Sequence, residues 1–431
     1  MAKVTPQKKA CSCVSDGFLS LGSVLIAVLL LWSLLYTTQN SHTIILFGSN
    51  SKVDSNIAHD PPEKTFYDDR DLSYSIEKPM KNWNEKRKQW LQVHPSFAAG
   101  AQDRILLLTG SQPSVCKNRI GDHLLLRLFK NKVDYARLHG YDIFYNNAYL
   151  HPKMDSYWAK IPIMRASMMA HPEVEWIWWM DLDAVFTDME FKLPMERYKN
   201  HNLVVHGWPN MVYEDKDNKS WTGLNAGVFL IRNCQWSMDL MDAWSKIGPW
   251  TPNFEKWGQI LKSMFKDKPF PLPDDQSALI YLLFTEREKW EVKVYLEGEY
   301  NLEAYWKGVE GKLENISEVY REIEEGTTSL RRRHAEKLSY WYGASREKYL
   351  KEKGLNPWNG RRPFTTHFTG CQPCNGEHNP SYDGNACWRE MERALNFADN
   401  QVLRNYGFVH KDLLSSSVYP VPFDYPWIDS S

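Results

Sequence analysis

Trp176-Ile177-Trp178-Trp179-Met180-Asp181-Leu182-Asp183-Ala184-Val185-Phe186 is the stretch on which the fold reading turns. Its five leading apolar residues do not alternate with polar ones, which suits a strand buried on both faces. Two carboxylates one residue apart follow at once. If extended geometry persists, positions i and i+2 face the same way, so Asp181 and Asp183 converge on one hard cation. Oxygen donors with open positions suit Mn2+ or Mg2+, which in turn hold a nucleotide diphosphate. Asp-x-Asp alone is common; its place at the end of a buried strand gives it weight.

Outward from this stretch, short apolar segments alternate with helical ones. Strands are read at 105–109, 142–145, 203–206, 227–231 and 364–368. Helices are read at 158–170, 236–246, 277–288 and from 388 to about 406. Another follows the first strand, with Leu125, Phe129, Val133 and Ala136 on one face. Such alternation predicts an α/β fold whose mainly parallel sheet is covered on both sides and binds ligands at its strands' carboxyl ends. Residues 310–353 are densely charged, include Arg331-Arg332-Arg333, and read as a solvated helical insertion. No internal repeat is visible.

Two further clusters carry chemistry. His367, at the end of a late strand, is either a third metal ligand or a satisfied core histidine. Asp274-Asp275-Gln276 opens a helix, where an Asp can cap the N-terminus or grip sugar hydroxyls. Cys371-x-x-Cys374 with His378 and Cys387 fits either disulfides or a zinc site; an oxidising compartment favours disulfides, with the pairing open.

The N-terminus sets that compartment. Residues 18–36 are uncharged and long enough to cross a bilayer. Lys3, Lys8 and Lys9 precede them and the next basic residue is Lys52, so charge asymmetry orients the chain with its C-terminal bulk in the lumen. The alternatives are a cleaved signal peptide and an uncleaved anchor; the long apolar run with no small-x-small site soon after it favours a signal anchor at 18–36 behind a cytosolic tail at 1–17. A luminal stem then spans 37–100, with a short helix around 82–91, and a globular domain spans 101–425. Asn218 and Asn315 become glycosylation candidates. Cys11 and Cys13 are palmitoylation sites or idle tail cysteines. The luminal Cys116, Cys234, Cys371, Cys374 and Cys387 are odd in number, so one stays unpaired in a monomer.

Composition narrows the function. A net charge of −1 offers no nucleic-acid footprint, and 43% hydrophobic with 24% charged residues excludes wholesale disorder. Aromatic residues reach 14%, with 19 Trp; these fill cores or stack on sugars. No G-x-G-x-x-G, Walker, H-E-x-x-H or G-x-S-x-G motif is present, which disfavours dinucleotide enzymes, P-loop NTPases, zincins and serine hydrolases.

In order along the chain, several stretches resemble glycosyltransferase family 34 of plants, Golgi enzymes that add α-1,6 side-chain sugars to cell-wall polysaccharides. They are Thr109 to Pro113, Ile120 to Arg127, Lys130 to Tyr135, Ser156 to Lys160, His171 to Trp176, Asp181-x-Asp183 and Asn202 to Gly207, then Asp274-Asp275-Gln276, His367 to Cys371 and Asn396 to Val402. The resemblance runs from about residue 60 to 425. It implies a GT-A fold, a UDP-sugar donor, Mn2+ and retention of anomeric configuration. Carried over by position, Asp181, Asp183 and His367 hold Mn2+; Thr109, Gly110 and Ser111 cradle the nucleotide; Lys160 adds positive charge near the donor. Asn225, Gly227, Gly370 and Gln372 are further donor-binding positions, and Asp275 and Gln276 lie near the sugar and acceptor. No covalent nucleophile is implied, because the departing phosphate can take the acceptor's proton.

Ser220 to Leu230, the insertion containing Leu330 to Lys337, and Gln372 resemble the galactomannan galactosyltransferase branch more than the xyloglucan xylosyltransferase branch. The implied activity is transfer of galactose from UDP-galactose to a mannan backbone at the Golgi membrane. The alternatives are xylosyl transfer from UDP-xylose to a β-1,4-glucan, a catalytically weak scaffold for other Golgi synthases with homo- or hetero-oligomeric partners, and a lectin-like polysaccharide binder. Leu182 replaces the Ser usual in the family; its side chain is expected to point away from the metal.

Overall fold

The computed structural model describes residues 72–154, 156–214, 219–330, 335–383 and 385–421, and all of them fall in one compact unit. The expected anchor at 18–36, its tail, Asn218 and Arg331-Arg332-Arg333 lie outside the described residues.

In chain order, α1 (Trp83–Val93) leads to β1 (Ile105–Gly110), α2 (Gly121–His139), β2 (Asp142–Asn146), α3 (Lys160–Ala170) and β3 (Trp176–Met180). Then come β4 (Ala184–Phe186), β5 (Leu203–Gly207), β6 (Leu224–Arg232), α4 (Gln235–Ser245), α5 (Phe254–Met264) and α6 (Asp275–Thr285). They are followed by β7 (Val294–Glu297), β8 (Ala304–Tyr305), α7 (Leu313–Gly326), α8 (Glu336–Glu352) and β9 (Thr365–His367). A short hairpin of β10 (Cys371–Gln372) and β11 (Glu377–His378) precedes α9 (Ala386–Leu403).

The main sheet has six strands in the order β2-β1-β3-β6-β5-β7. Strand β6 runs antiparallel to both its neighbours and every other pairing is parallel, so the mainly parallel expectation holds with one reversed strand. The pleat sends Leu107, Trp176, Trp178 and Leu230 into a layer shared with Leu128 and Tyr135 of α2 and Met391 and Leu395 of α9. Leu106, Leu108, Ile177, Trp179 and Phe229 enter the opposite layer, with Met164 of α3, Trp244 of α4 and Leu279 of α6. A second sheet, β4-β9-β8, stands beyond β3. Most of the tryptophan excess is core: Trp83, Trp158, Trp178, Trp244, Trp290 and Trp306 are fully buried, and among the described residues only Trp208, Trp341 and Trp358 are exposed.

Three expectations change. The stem does not extend to residue 100 as a separate segment, because Ile76, Met80, Trp83 and Trp90 are buried in the domain. Trp83 donates its indole N–H to Asn233 at 2.7 Å and Arg87 pairs with Glu175 at 2.9 Å. The charged insertion is not merely solvated: Leu313, Ile316, Tyr320, Ile323 and Leu350 belong to the core beneath α7 and α8. Finally, α2 buries Leu124, Leu125, Leu128, Asn131, Lys132, Tyr135 and Ala136; of the expected face, Leu125 and Ala136 are buried while Phe129 and Val133 are only half-buried. Its inward face includes polar residues that service backbone, which a hydrophobic pattern does not register.

Candidate metal and donor site

Strand β3 ends at Met180, and Asp181-Leu182-Asp183 form a turn closed by Ala184 N–H donating to the Asp181 carbonyl at 3.1 Å. The two carboxylates therefore converge through a turn, not through the i, i+2 alternation of a strand. The chain re-enters a sheet at β4, where Ala184 lies opposite His367 of β9. That register brings His367 Nε2 to 3.2 Å from an Asp183 oxygen and 3.9 Å from an Asp181 oxygen. One donor atom from each residue lies within 4.8 Å of the others, a grouping that one small cation can span.

The turn is shaped from below by α2. Lys132 is fully buried and donates to the Leu182 and Ala184 carbonyls at 2.9 and 2.6 Å. Asn131 donates to the Phe186 carbonyl and accepts from its N–H. Burial pushes the Lys132 ammonium down to about 7, against the pull of Asp183 and Asp181. Leu182 is partly buried and packs against the core layer that includes α2.

Strand β6 supplies the opposite wall. Its register with β5 jumps between Val205, opposite Phe229, and His206, opposite Asn225. Within the residues so displaced, Asn225 accepts from the Gly227 N–H at 2.8 Å, and the Gly227 carbonyl accepts from the Asp181 N–H at 2.7 Å. A Cβ on Gly227 would overlap the His367 ring and approach an Asp181 oxygen to 2.9 Å. Only glycine lets this strand pass so close to the cluster.

Other expected residues take different roles. Lys160 is buried, 2.5 Å from Asp275, 3.4 Å from Asp181 and 2.7 Å from the Ala226 carbonyl. It braces these groups and sets its positive charge beside Asp181. Burial lowers its pKa, but Asp181 and Asp275 outweigh that and raise it overall, while burial pushes Asp275 up to about 7 against the opposing Lys160. Asp274 is the capping residue: it accepts from the Ser277 N–H at 2.8 Å and pairs with Lys268 at 2.8 Å. Gln276 spends its amide on backbone, donating to the Trp221 carbonyl at 2.8 Å and accepting from the Ala226 N–H at 3.2 Å. It is a strut between α6 and the segment leading through β6.

At the end of β1, Thr109 is fully buried with its hydroxyl oxygen unpartnered, so its side chain does not line an open cradle. Gly110 is fixed by packing, because a Cβ there would overlap the Asn146 carbonyl. Ser111 remains at the sheet edge, its hydroxyl accepting from Tyr145 at 2.7 Å. Gly370 turns the chain after β9 at φ +82°, and the exposed Gln372 accepts from the Asn375 amide at 2.6 Å; neither touches the cluster. Disulfides Cys116–Cys374 and Cys371–Cys387 fasten this hairpin to the loop after β1 and to α9. Cys234 is left free, as an odd count requires.

Sequence reasoning missed Lys132, Asn131 and Glu303. Lys132 and Asn131 lie within a matching stretch that had been given no role. Glu303, between Leu302 and Ala304, is a carboxylate in an apolar run, the one signal that could have singled it out. Burial opposes protonation of His367, but Asp183 and Glu303 facing its ring hold its pKa well above the ordinary value.

The model of the galactosyl transferase GMA12/MNN10 family matches residues 101–378. The chain belongs to this family. It is 58% identical to galactomannan galactosyltransferase 1 of Cyamopsis tetragonoloba, over 99% of this chain and 100% of that one. It is 59% identical to glycosyltransferase 6 of Arabidopsis thaliana, over 96% of each. A probable xyloglucan 6-xylosyltransferase 3 of Arabidopsis thaliana is 44% identical over 87% of this chain and 74% of that one. As a member of the family, the chain is a glycosyltransferase, and its carboxylate–histidine cluster lies within the matched residues.

Proposed function

We propose that the chain is a retaining GT-A glycosyltransferase that moves galactose from UDP-galactose in α-1,6 linkage to a mannan backbone. The observation that carries the choice of sugar is the 58% identity across the whole length of a galactomannan galactosyltransferase, against 44% for a xylosyltransferase relative. A pocket for galactose must house one CH2OH more than a pocket for xylose. Discrimination on one such group is worth only ~1–3 kcal/mol where contacts are apolar.

Asp181, Asp183 and His367 are the residues that would hold Mn2+. Two carboxylates and an imidazole suit that ion, and Gly227 leaves room for the His367 ring to sit beside Asp181. When bound, the ion supplies positive charge against the donor diphosphate. The chain's own residues orient: Lys132 fixes the turn, Lys160 fixes Asp181 and Asp275, and Gln276 ties α6 to β6. Asp275 and Glu303, buried beside the cluster, are committed to Lys160 and His367. Neither is offered as a nucleophile, which supports a front-face route in which the departing phosphate oxygen accepts the acceptor hydroxyl's proton.

The proposal includes a single N-terminal membrane anchor with the domain in the Golgi lumen. Two disulfides in the domain support an oxidising compartment. Asn315 is exposed on α7, so a glycan there would meet solvent. The test is to cross UDP-galactose and UDP-xylose with manno- and cello-oligosaccharides in Mn2+ and read product masses. A hexose added to the manno-oligosaccharide is expected; a pentose added only to the cello-oligosaccharide would replace this reading with the xylosyl one.

A further inference from the structure

We propose that Glu303 is the positioning residue of the metal site, holding the Nδ1–H of His367 so that Nε2 presents its lone pair to the ion. The inference rests on the metal reading above. Glu303 is only 6% exposed, and an isolated buried carboxylate is strongly disfavoured unless paired. Among the described residues, its one ion pair is with His367, Oε1 lying 3.3 Å from Nδ1. The contact is a close ion pair, since the buried Nδ1 meets no acceptor with hydrogen-bond geometry.

The backbone explains the meeting. Strand β8 runs parallel to β9, with Ala304 opposite Thr366 and Tyr305 opposite His367. Glu303 lies in the bend just before β8, and its carboxylate reaches the ring from there. The other ring nitrogen faces Asp183 and Asp181 at 3.2 and 3.9 Å. Three carboxylates thus approach one imidazole, with Lys160 beside Asp181, and the two aspartates, 26% and 23% exposed, can still reach a dication. A carboxylate on the far nitrogen selects the Nδ1–H tautomer, fixes the ring plane and makes Nε2 a better donor.

The test titrates Mn2+ into the full chain and follows the electron paramagnetic resonance signal of the free ion, alongside melting in chelator. Replacing such an outer carboxylate weakens metal binding by about 10- to 100-fold. Glu303→Gln should therefore bind Mn2+ that much more weakly while melting in chelator as the parent does. Affinity within twofold of the parent would overturn the proposal, as would a loss of affinity matched by a drop in chelator melting to the temperature of the assay. Should Glu303→Gln not fold, Glu303→Asp takes its place: it keeps the charge but withdraws it by one methylene. Weaker binding supports the proposal and parental affinity overturns it. A parent chain that takes up no Mn2+ would overturn the metal reading itself, a result distinct from a parent that binds and a variant that binds equally.

Discussion

Gln276 shows how a residue of a functional motif can also hold the fold together. Its amide satisfies the Ala226 N–H and the Trp221 carbonyl, and leaving buried backbone groups unmet costs roughly 1–3 kcal/mol. Gln276→Ala should therefore lower the unfolding free energy by about that amount, read by chemical denaturation. Unchanged stability with abolished turnover would instead place the amide at the reacting sugar. The sequence identified the three candidate metal ligands because their residue types and strand-end positions are visible in one dimension. It did not foresee that the Thr109 hydroxyl is buried, or that Lys160 and Gln276 also bond within the protein, because a motif does not say where a side chain points. Glu303 stayed hidden because its partner is 64 residues away across a two-residue strand.

At the scale of elements, helix α2 is the clearest case of pattern and structure parting. Its period was legible and its phase only in part: Leu125 and Ala136 are buried as read, but Asn131 and Lys132 also face inward to hold the turn after β3. The same helix ends in His139, whose ring stacks on Tyr135 at 4.1 Å and meets the Met189 carbonyl at 3.0 Å. Burial pushes its pKa down to about 4 from 6.5. The unfolded chain thus binds the proton more readily between those values, and stability is lost as pH falls through that window. The full loss attributable to His139 is up to about 3 kcal/mol. His139→Phe, which keeps the stack, should show a correspondingly smaller drop in unfolding free energy between pH 7 and pH 4.5. An acid response identical to the parent's would assign that sensitivity elsewhere. Strands β4, β7 and β8 escaped sequence reading because two to four residues carry no periodicity.

For the whole molecule, the α/β layering was legible because strands buried on both faces read as unbroken apolar runs. The domain's edges were not. Composition placed the stem boundary near residue 100, yet a few apolar side chains within a polar stretch, Met80, Trp83 and Trp90, bind it to the domain. A chain beginning at residue 72 should melt with the parent, whereas one beginning at residue 101 should lose at least the ~3–5 kcal/mol typical of removing a buried Trp. Equal melting temperatures would return residues 72–100 to the stem. What unites these scales is the claim that β3, β6 and β9 assemble a cation site for a nucleotide diphosphate. The most direct measurement is calorimetric titration of UDP into the parent and an Asp181→Ala, Asp183→Ala double variant, each with and without Mn2+. UDP binding that requires Mn2+ in the parent and vanishes in the variant is the predicted result; equal binding by both chains would contradict it.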